Sequence, residues 1–213
     1  MHDDRRTTTY STLDPSQILR PKMSPSNHRR SSAALRWRFF LIEDLVQRAI
    51  AKRRSFDQER VKALPATSLG PGIPTLRIGE YHPFTPQLKE RYALLGRWET
   101  ATHGHWLGLS DMEALWETHI EDRFLADIQS QRLAGERGWP NEASALFKPE
   151  RLSLFACSDI TNEKIYLLWL DFEDEPEIWV YDSNGESRYK DLKEYLNAYL
   201  ADDISAFERR WRL

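Results

Sequence analysis

The chain has 213 residues, 40% of them hydrophobic and 30% charged, and its formal net charge is −3. No apolar stretch approaches the roughly 20 residues that a bilayer-spanning helix needs, so no transmembrane helix is predicted. Cys157 is the only cysteine, which excludes an internal disulfide and fits a reducing, cytoplasmic environment.

The charge is divided unevenly along the chain. Residues 1–70 carry 14 Lys and Arg against 7 Asp and Glu, whereas residues 71–213 carry 16 against 26. The larger, acidic part is expected to repel nucleic-acid phosphates and to attract basic surfaces. We therefore predict a protein partner with a basic surface, and no direct binding to nucleic acid or membrane.

Residues 1–32 contain three prolines, many hydroxyl side chains and no apolar period, so they are predicted to form a disordered basic tail. A composition rich in Arg, Ser and Thr and poor in acids is also typical of transit peptides. Residues 33–213 are predicted to form one domain that begins with a helix over 33–54, capped by Ser32. The buried stripe of this helix is predicted to consist of Leu35, Phe39, Ile42, Leu45, Val46, Ala49 and Ile50. The basic side chains at its end suit the helix dipole and are interpreted as solvated rather than as a nucleic-acid patch.

Prolines and glycines dominate residues 64–86, which predicts an irregular connector with one short strand near 76–78. Residues 86–95 follow as a short helix, and Gly96 is expected to supply the turn that ends it.

Residues 103–110, His-Gly-His-Trp-Leu-Gly-Leu-Ser, resemble the short strand that precedes the middle helix of the SMI1/KNR4-like (SUKH) domain. Ser110 is expected to cap this helix, and Glu113, three residues later, to complete a capping box. The helix is predicted to stop before Gly135 or Gly138. Its buried stripe is predicted to comprise Met112, Leu115, Trp116, Ile120, Phe124 and Ile128.

Residues 151–200 carry the strongest pattern in the chain. Apolar runs at 151–156 and 164–172 predict two strands, and the second run is apolar on both alternating faces, as in a strand covered on both sides. Clustered acids and Pro176 break the pattern before a third strand over 177–182.

A turn at 183–185 follows, because Asn184 and Gly185 tolerate a positive φ. Asp191 then begins a helix in which Glu194 is a reciprocal cap. The apolar face of this helix comprises Leu192, Tyr195, Leu196, Tyr199 and Leu200. The whole pattern predicts an α+β fold, with a twisted antiparallel sheet packed with helices behind the disordered tail.

The strand Trp179-Val-Tyr-Asp, a polar turn and the helix start Tyr189-Lys-Asp-Leu-Lys-Glu-Tyr-Leu together resemble the end of the SMI1/KNR4-like (SUKH) domain. The resemblance implies binding rather than catalysis. Bacterial members of that family are mainly immunity proteins, which neutralise the toxin domains, often nucleases, of contact-dependent and other polymorphic toxin systems. Eukaryotic relatives are interaction modules in cell-wall regulation, so a regulatory scaffold is the alternative function.

The resemblance and the acidic body together predict a surface that covers the basic active site of a cognate toxin domain. Carboxylates beside aromatic side chains suit such a partner. The predicted contact set is Asp171, Glu173, Asp174, Glu175, Glu177, Trp179 and Tyr181. Helices are expected to cover one face of the sheet and to leave a partly open aromatic groove on the other. No cofactor and no enzymatic activity are predicted.

A metal-dependent hydrolase is the second alternative. His103 and His105 would share a strand face, and His119 could add a third ligand from the next helix. Because no His-Glu-x-x-His motif and no fourth ligand accompany them, solvent-facing histidines are the preferred interpretation. The acidic residues from Asp171 onward could also bind a cation or act as acid and base, but a soluble hairpin or a binding surface is preferred. Cys157 is predicted to be a small buried residue rather than a nucleophile.

Overall fold

A computed structural model describes residues 30–136, 148–183 and 185–203, with side chains described from residue 42 onward. The predicted tail, residues 1–32, therefore lies almost entirely outside the described residues. Described residues from 37 onward belong to one compact unit, which contains the sheet.

Five α-helices and nine strands occur in the described ranges. The helices are α1 (Arg30–Phe56), α2 (Pro86–Leu94), α3 (Leu109–Ala114), α4 (Arg123–Glu136) and α5 (Leu192–Ala201). The strands are β1 (Lys62–Pro65), β2 (Ile73–Pro74), β3 (Tyr81–His82), β4 (Leu95–Glu99), β5 (His105–Trp106), β6 (Leu152–Cys157), β7 (Lys164–Leu168), β8 (Glu177–Asp182) and β9 (Gly185–Tyr189). None of these described helices is both long and apolar enough to cross a membrane.

Seven of the strands form one antiparallel sheet in the order β1-β4-β5-β6-β7-β8-β9. From β4 onward each strand therefore pairs with the next one along the chain. Strands β2 and β3 form a separate two-stranded ribbon. With its helices, this sheet confirms the predicted α+β class.

Strands β6 and β7 lie in the interior of the sheet, and every residue in both is buried. This confirms that the apolar run starting at Lys164 is covered on both sides, because neither alternating face is left to solvent. The strand ends at Leu168, earlier than predicted, and the chain turns at residues 171–172.

Strand β9 was not predicted, because Gly-Glu-Ser-Arg-Tyr contains one apolar residue and no alternation. It forms because it pairs with β8 in an antiparallel ladder along its whole length, from Ile178 opposite Tyr189 to Asp182 opposite Gly185. Gly185 has a φ of 122°, in keeping with the predicted turn, and Asn184 lies outside the described residues.

Helix α1 buries the face that its periodicity predicts. The buried members of the stripe are Ile42, Leu45, Val46, Ala49 and Ile50, and Leu35 and Phe39 lie outside the described side chains. The predicted cap is wrong, because α1 already includes Arg30 and Ser32 lies inside the helix.

Lys52, one of the basic residues near the end of α1, binds within the fold. Its Nζ donates to the carbonyl oxygens of Tyr199 and Leu200 at 2.9 and 3.3 Å and lies 2.6 Å from a carboxylate oxygen of Asp202. A cation is favourable there because the last carbonyls of α5 carry the negative end of the helix dipole. This basic side chain thus caps a helix.

The start of α5 agrees with the predicted capping. The carboxylate of Asp191 accepts a hydrogen bond from the backbone N–H of Glu194 at 2.8 Å. The carboxylate of Glu194 reaches back to accept from the backbone N–H of Lys190 at 2.6 Å. One orphan donor of the first turn, the N–H of Glu194, is thereby satisfied, and the reciprocal bond is made by the N–H of the residue before the cap.

The predicted middle helix is divided into α3 and α4. Gly108, not Ser110, is the N-cap of α3, and its N–H donates to the carboxylate of Asp111 at 2.8 Å. Asp111 rather than Glu113 is the cap partner because it lies three residues after Gly108, and Arg97 also holds its carboxylate at 2.7 Å. The predicted stripe is buried at Met112, Leu115 and Ile128 and half-buried at Trp116, Ile120 and Phe124.

Helix α4 runs through Gly135 to Glu136, so it does not stop before the first of the two predicted glycines, and Gly138 lies outside the described residues. Two further predictions are wrong. Residues 76–78 lie in the turn between β2 and β3 rather than in a strand. Gly96 lies in β4 rather than in a turn, and a Cβ there would stand 2.8 Å from the carbonyl oxygen of Pro65. Glycine is needed because the neighbouring backbone approaches too closely for a side chain.

Arg91 of α2 is fully buried, at 0% exposed. Its guanidinium donates to three backbone carbonyls, at 2.9, 3.0 and 3.1 Å, which belong to Leu95, Gly96 and Leu107. Three aromatic rings lie within 5.5 Å of it, those of Tyr92, Trp106 and Phe155. Burial lowers the pKa of Arg91 to about 10, so it remains charged at neutral pH.

We expect Arg91→Met to lower the free energy of unfolding by about 3–5 kcal/mol, because three buried carbonyls lose their donor. Arg48→Met is the matched control. Arg48 is 59% exposed and, among the residues whose side chains are described, forms its ion pair with Asp44 four residues away, so its loss should cost under about 0.5 kcal/mol. Urea denaturation of the two variants measures the difference, and equal midpoints would contradict the structural role of Arg91.

Candidate functional site

A groove of about 900 Å³ lies between the β2–β3 ribbon and the loop that follows β7. The ribbon side contributes Glu80, Tyr81 and His82, followed by Phe84 and Thr85. The loop side contributes Trp169, Asp171, Glu173 and Asp174, and the turn before β6 contributes Glu150 and Arg151. The groove thus combines carboxylates with aromatic rings.

One end of the ribbon is fixed to the main sheet. The ring of His82 stacks on Trp169 with centroids 4.3 Å apart and planes 13° from parallel. The Nε2–H of His82 donates to the carbonyl oxygen of Glu150 at 2.9 Å, because a carbonyl can only accept. The backbone N–H of Leu76 donates to the carbonyl of Leu152, at the start of β6. These contacts hold the ribbon wall of the groove in place.

The other side of the ribbon is fixed to the α3 region. The hydroxyl of Tyr81 donates to the Glu113 carboxylate at 3.1 Å, and its ring packs edge-on against Trp116 at 5.2 Å. The indole N–H of Trp116 donates to the carbonyl of Thr75 at 2.8 Å. The ribbon is therefore held from two directions, although its strands have only two residues each.

Carboxylates dominate the charge of the groove. The acidic lining residues are Glu80, Glu150, Asp171, Glu173 and Asp174, and Arg151 is the basic residue among those that line it. Arg151 pairs with Asp171 at 2.8 Å. Glu173 and Asp174 are exposed, and no ion pair joins them to another described residue. Arg77, which does not line the groove, pairs with Glu80 and Glu150. The negative field that the groove presents to an approaching partner is therefore strongest at Glu173 and Asp174.

The predicted contact set is divided by the fold. Asp171, Glu173 and Asp174 line the groove. Glu175 instead caps α2, because its carboxylate accepts from the backbone N–H of Gln87 at 2.9 Å and from the hydroxyl of Thr85. Burial raises the pKa of Glu175, and the hydrogen bond from Thr85 opposes that shift.

The other three members of the set lie on β8. Glu177 pairs with Arg188 on the neighbouring strand. Trp179 is 2% exposed and stacks on Tyr166 at 5.6 Å, whereas Tyr181 is 39% exposed. Trp179 is therefore part of the core rather than of an open aromatic face. Among the aromatic residues that line the groove, Tyr81 is 36% exposed and Trp169 is buried.

The three histidines do not form a metal site. The Nδ1 of His105 accepts from the backbone N–H of Thr100, so Nε2 carries the proton and donates to Asp159, both at 3.0 Å. Neither ring nitrogen has a free lone pair. The Nδ1 of His103 lies 2.7 Å from the hydroxyl of Tyr195, and His119 is exposed. Among the described residues, no three His, Cys, Asp or Glu side chains are placed to hold a metal ion.

The ribbon side of the groove was missed by the sequence reasoning. Two-residue strands leave no periodicity to detect, and the stacking of His82 on Trp169 joins residues far apart in the chain. The available signal was the sequence Glu80-Tyr81-His82 between Gly79 and Pro83, which is a compact polar-aromatic turn pattern.

No family model, no curated protein and no solved structure matches this chain.

Replacing Glu175 with Ala should lower the free energy of unfolding by about 1 kcal/mol, because α2 loses its cap. The same change at Glu173, two residues away and exposed, should cost under about 0.5 kcal/mol. Urea denaturation of both variants tests whether the Glu175 carboxylate has a structural role that the Glu173 carboxylate lacks. An equal effect at the two positions would contradict it.

Burial lowers the pKa of His103 from its usual 6.5, an effect opposed by the nearby carboxylates of Glu163 and Asp182. The unfolded chain then binds the proton more readily than the folded chain. The free energy of unfolding should therefore fall as the pH drops below about 6.5. Denaturation curves at pH 7.5 and 5.0 should show a smaller loss for His103→Asn, which keeps a polar group near Tyr195 but does not titrate. An identical pH dependence in the wild type and in His103→Asn would show that His103 does not cause the loss of stability at low pH.

Proposed function

We propose that this protein is a protein-binding module of the SMI1/KNR4-like (SUKH) kind, and that it is an immunity protein that neutralises a cognate toxin domain. The observation that carries the proposal is the groove, with five carboxylates and one arginine in its lining beside aromatic rings. The sequence of residues 179–196 supports the family assignment by its resemblance.

Charge complementarity explains how such a groove would work. Clefts that cleave nucleic acid are basic because they bind phosphates, so a carboxylate-lined surface fits over them. Exposed carboxylates such as Glu173 and Asp174 would accelerate association by long-range attraction. Aromatic side chains at the groove would supply the apolar contacts from which most of the affinity of an interface derives.

Binding is favoured over nucleophilic catalysis by the state of the single cysteine. Cys157 is buried, and burial raises the pKa of its thiol to about 12. A thiol with that pKa is not a nucleophile at neutral pH. His103 and His105 are hydrogen-bonded within the fold, and His119 is exposed.

The test is a binding measurement between the purified protein and the toxin domain encoded beside its gene. The double variant Glu173→Lys with Asp174→Lys should slow association about tenfold at low salt, and the effect should shrink at high salt. The matched control is Glu59→Lys with Asp127→Lys, an equal charge change at two exposed residues that do not line the groove.

Protection of cells against the toxin should be weakened by the groove variant and retained by the control. Association at an unchanged rate at low salt would remove the groove from the interface. A wild-type protein that neither binds nor protects against the toxin domain would overturn the immunity function and favour the regulatory scaffold.

A further inference from the structure

Phe172 occupies an unusual position beside the groove. It lies in the turn at residues 171–172, its φ is 71°, and its relative exposure is 105%. A turn residue with positive φ is normally Gly or Asn, because a Cβ is strained in that conformation. Here the position holds a bulky aromatic residue whose ring is fully in solvent.

Local structure accounts for the other non-glycine residues with positive φ in the described part of the chain. Thr100 is held by its N–H, which donates to His105, and by its carbonyl oxygen, which accepts from Arg53 at 3.1 Å. Asp202 ends α5 in the left-handed conformation common at helix C-termini. Phe172 has no comparable role, because it lies in an exposed turn and its ring is not packed.

Folding therefore gains nothing from the Phe172 side chain. Its backbone is strained, and burial contributes no hydrophobic stabilisation because the ring remains exposed. Strained conformations that the fold does not need are concentrated at functional sites. The benefit of a phenylalanine here must come from a contact beyond the described part of the chain.

The surroundings of Phe172 indicate what it contacts. Asp171, Glu173 and Asp174, its neighbours in the chain, line the groove, and Phe172 itself stands outside that lining. Ile78 is 73% exposed and precedes Gly79, which lines the groove on the ribbon side. An apolar side chain among carboxylates resembles an interface hot spot with a charged rim, and the sign of the rim selects a basic partner.

We infer that Phe172 is the anchor of the interface, and that it packs on an apolar residue of an extended partner segment whose flanking Lys or Arg side chains enter the groove. This inference rests on the proposed protein-binding function and names the segment's chemistry. A groove of about 900 Å³ has room for several residues of such a segment.

The experiment uses the full chain and a phage-displayed library of random 12-residue peptides as the probe. Selection on the wild-type protein should enrich peptides with at least two Lys or Arg around an apolar residue. Those peptides, synthesised, should bind Phe172→Gly at least about tenfold more weakly, and Phe172→Tyr, which keeps the ring, within about twofold. The control Glu59→Lys with Asp127→Lys should bind them nearly as the wild type does.

A thermal denaturation measurement separates this role from a structural one. Glycine relieves the strain at a positive φ, so the Tm of Phe172→Gly should equal or exceed that of the wild type although binding is lost. A fall in Tm, enrichment of peptides without basic residues, the absence of enrichment, or equal binding by the glycine variant would each overturn the inference.

A failure of the Phe172 anchor can be distinguished from a failure of the proposed immunity function. A toxin complex that forms equally well with Phe172→Gly would overturn the anchor and leave toxin neutralisation standing. Phe172-dependent binding of basic peptides, without binding to the neighbouring toxin domain, would leave the anchor standing and overturn toxin neutralisation.

Discussion

Arg91 places a positive charge in the interior, and the arrangement of the sheet around it depends on how that charge is satisfied. Its three carbonyl acceptors belong to the first residues of β4 and to Leu107, just after β5. The N–H of Leu107 in turn donates to the carbonyl oxygen of Phe155 in β6. One guanidinium therefore joins α2, β4 and β5 and, through Leu107, connects them to β6.

This connection lies where the sheet is narrowest. Strand β5 has only two residues, and Trp98 opposite Trp106 is its register pair with β4. So short a ladder supplies few backbone hydrogen bonds, and both tryptophans are fully buried beside it. The planar guanidinium can donate in several directions at once, which lysine cannot do with fixed geometry. Arg91 thus replaces the ladder bonds that a longer β5 would have made.

Periodic segments were predictable, and contacts between distant residues were not. The buried stripe of α1, the doubly covered β7 and the Asp191 cap all follow from the spacing of apolar residues or from local hydrogen bonding. Strand β9 and the β2–β3 ribbon have no such spacing. Strand β9 is held by its pairing with β8, and the ribbon is held by hydrogen bonds to α3 and β6.

The acidic run after β7 shows why a candidate site could be predicted only in part. Its composition indicates a negative surface, but composition does not give the direction of each side chain. Glu175 turns inward and caps α2, whereas Glu173 and Asp174 face the groove. The inward carboxylate is needed because the first N–H groups of α2 require an acceptor. By tying the loop to α2, it fixes where the neighbouring acids and Phe172 are presented, so one structural carboxylate positions the exposed ones.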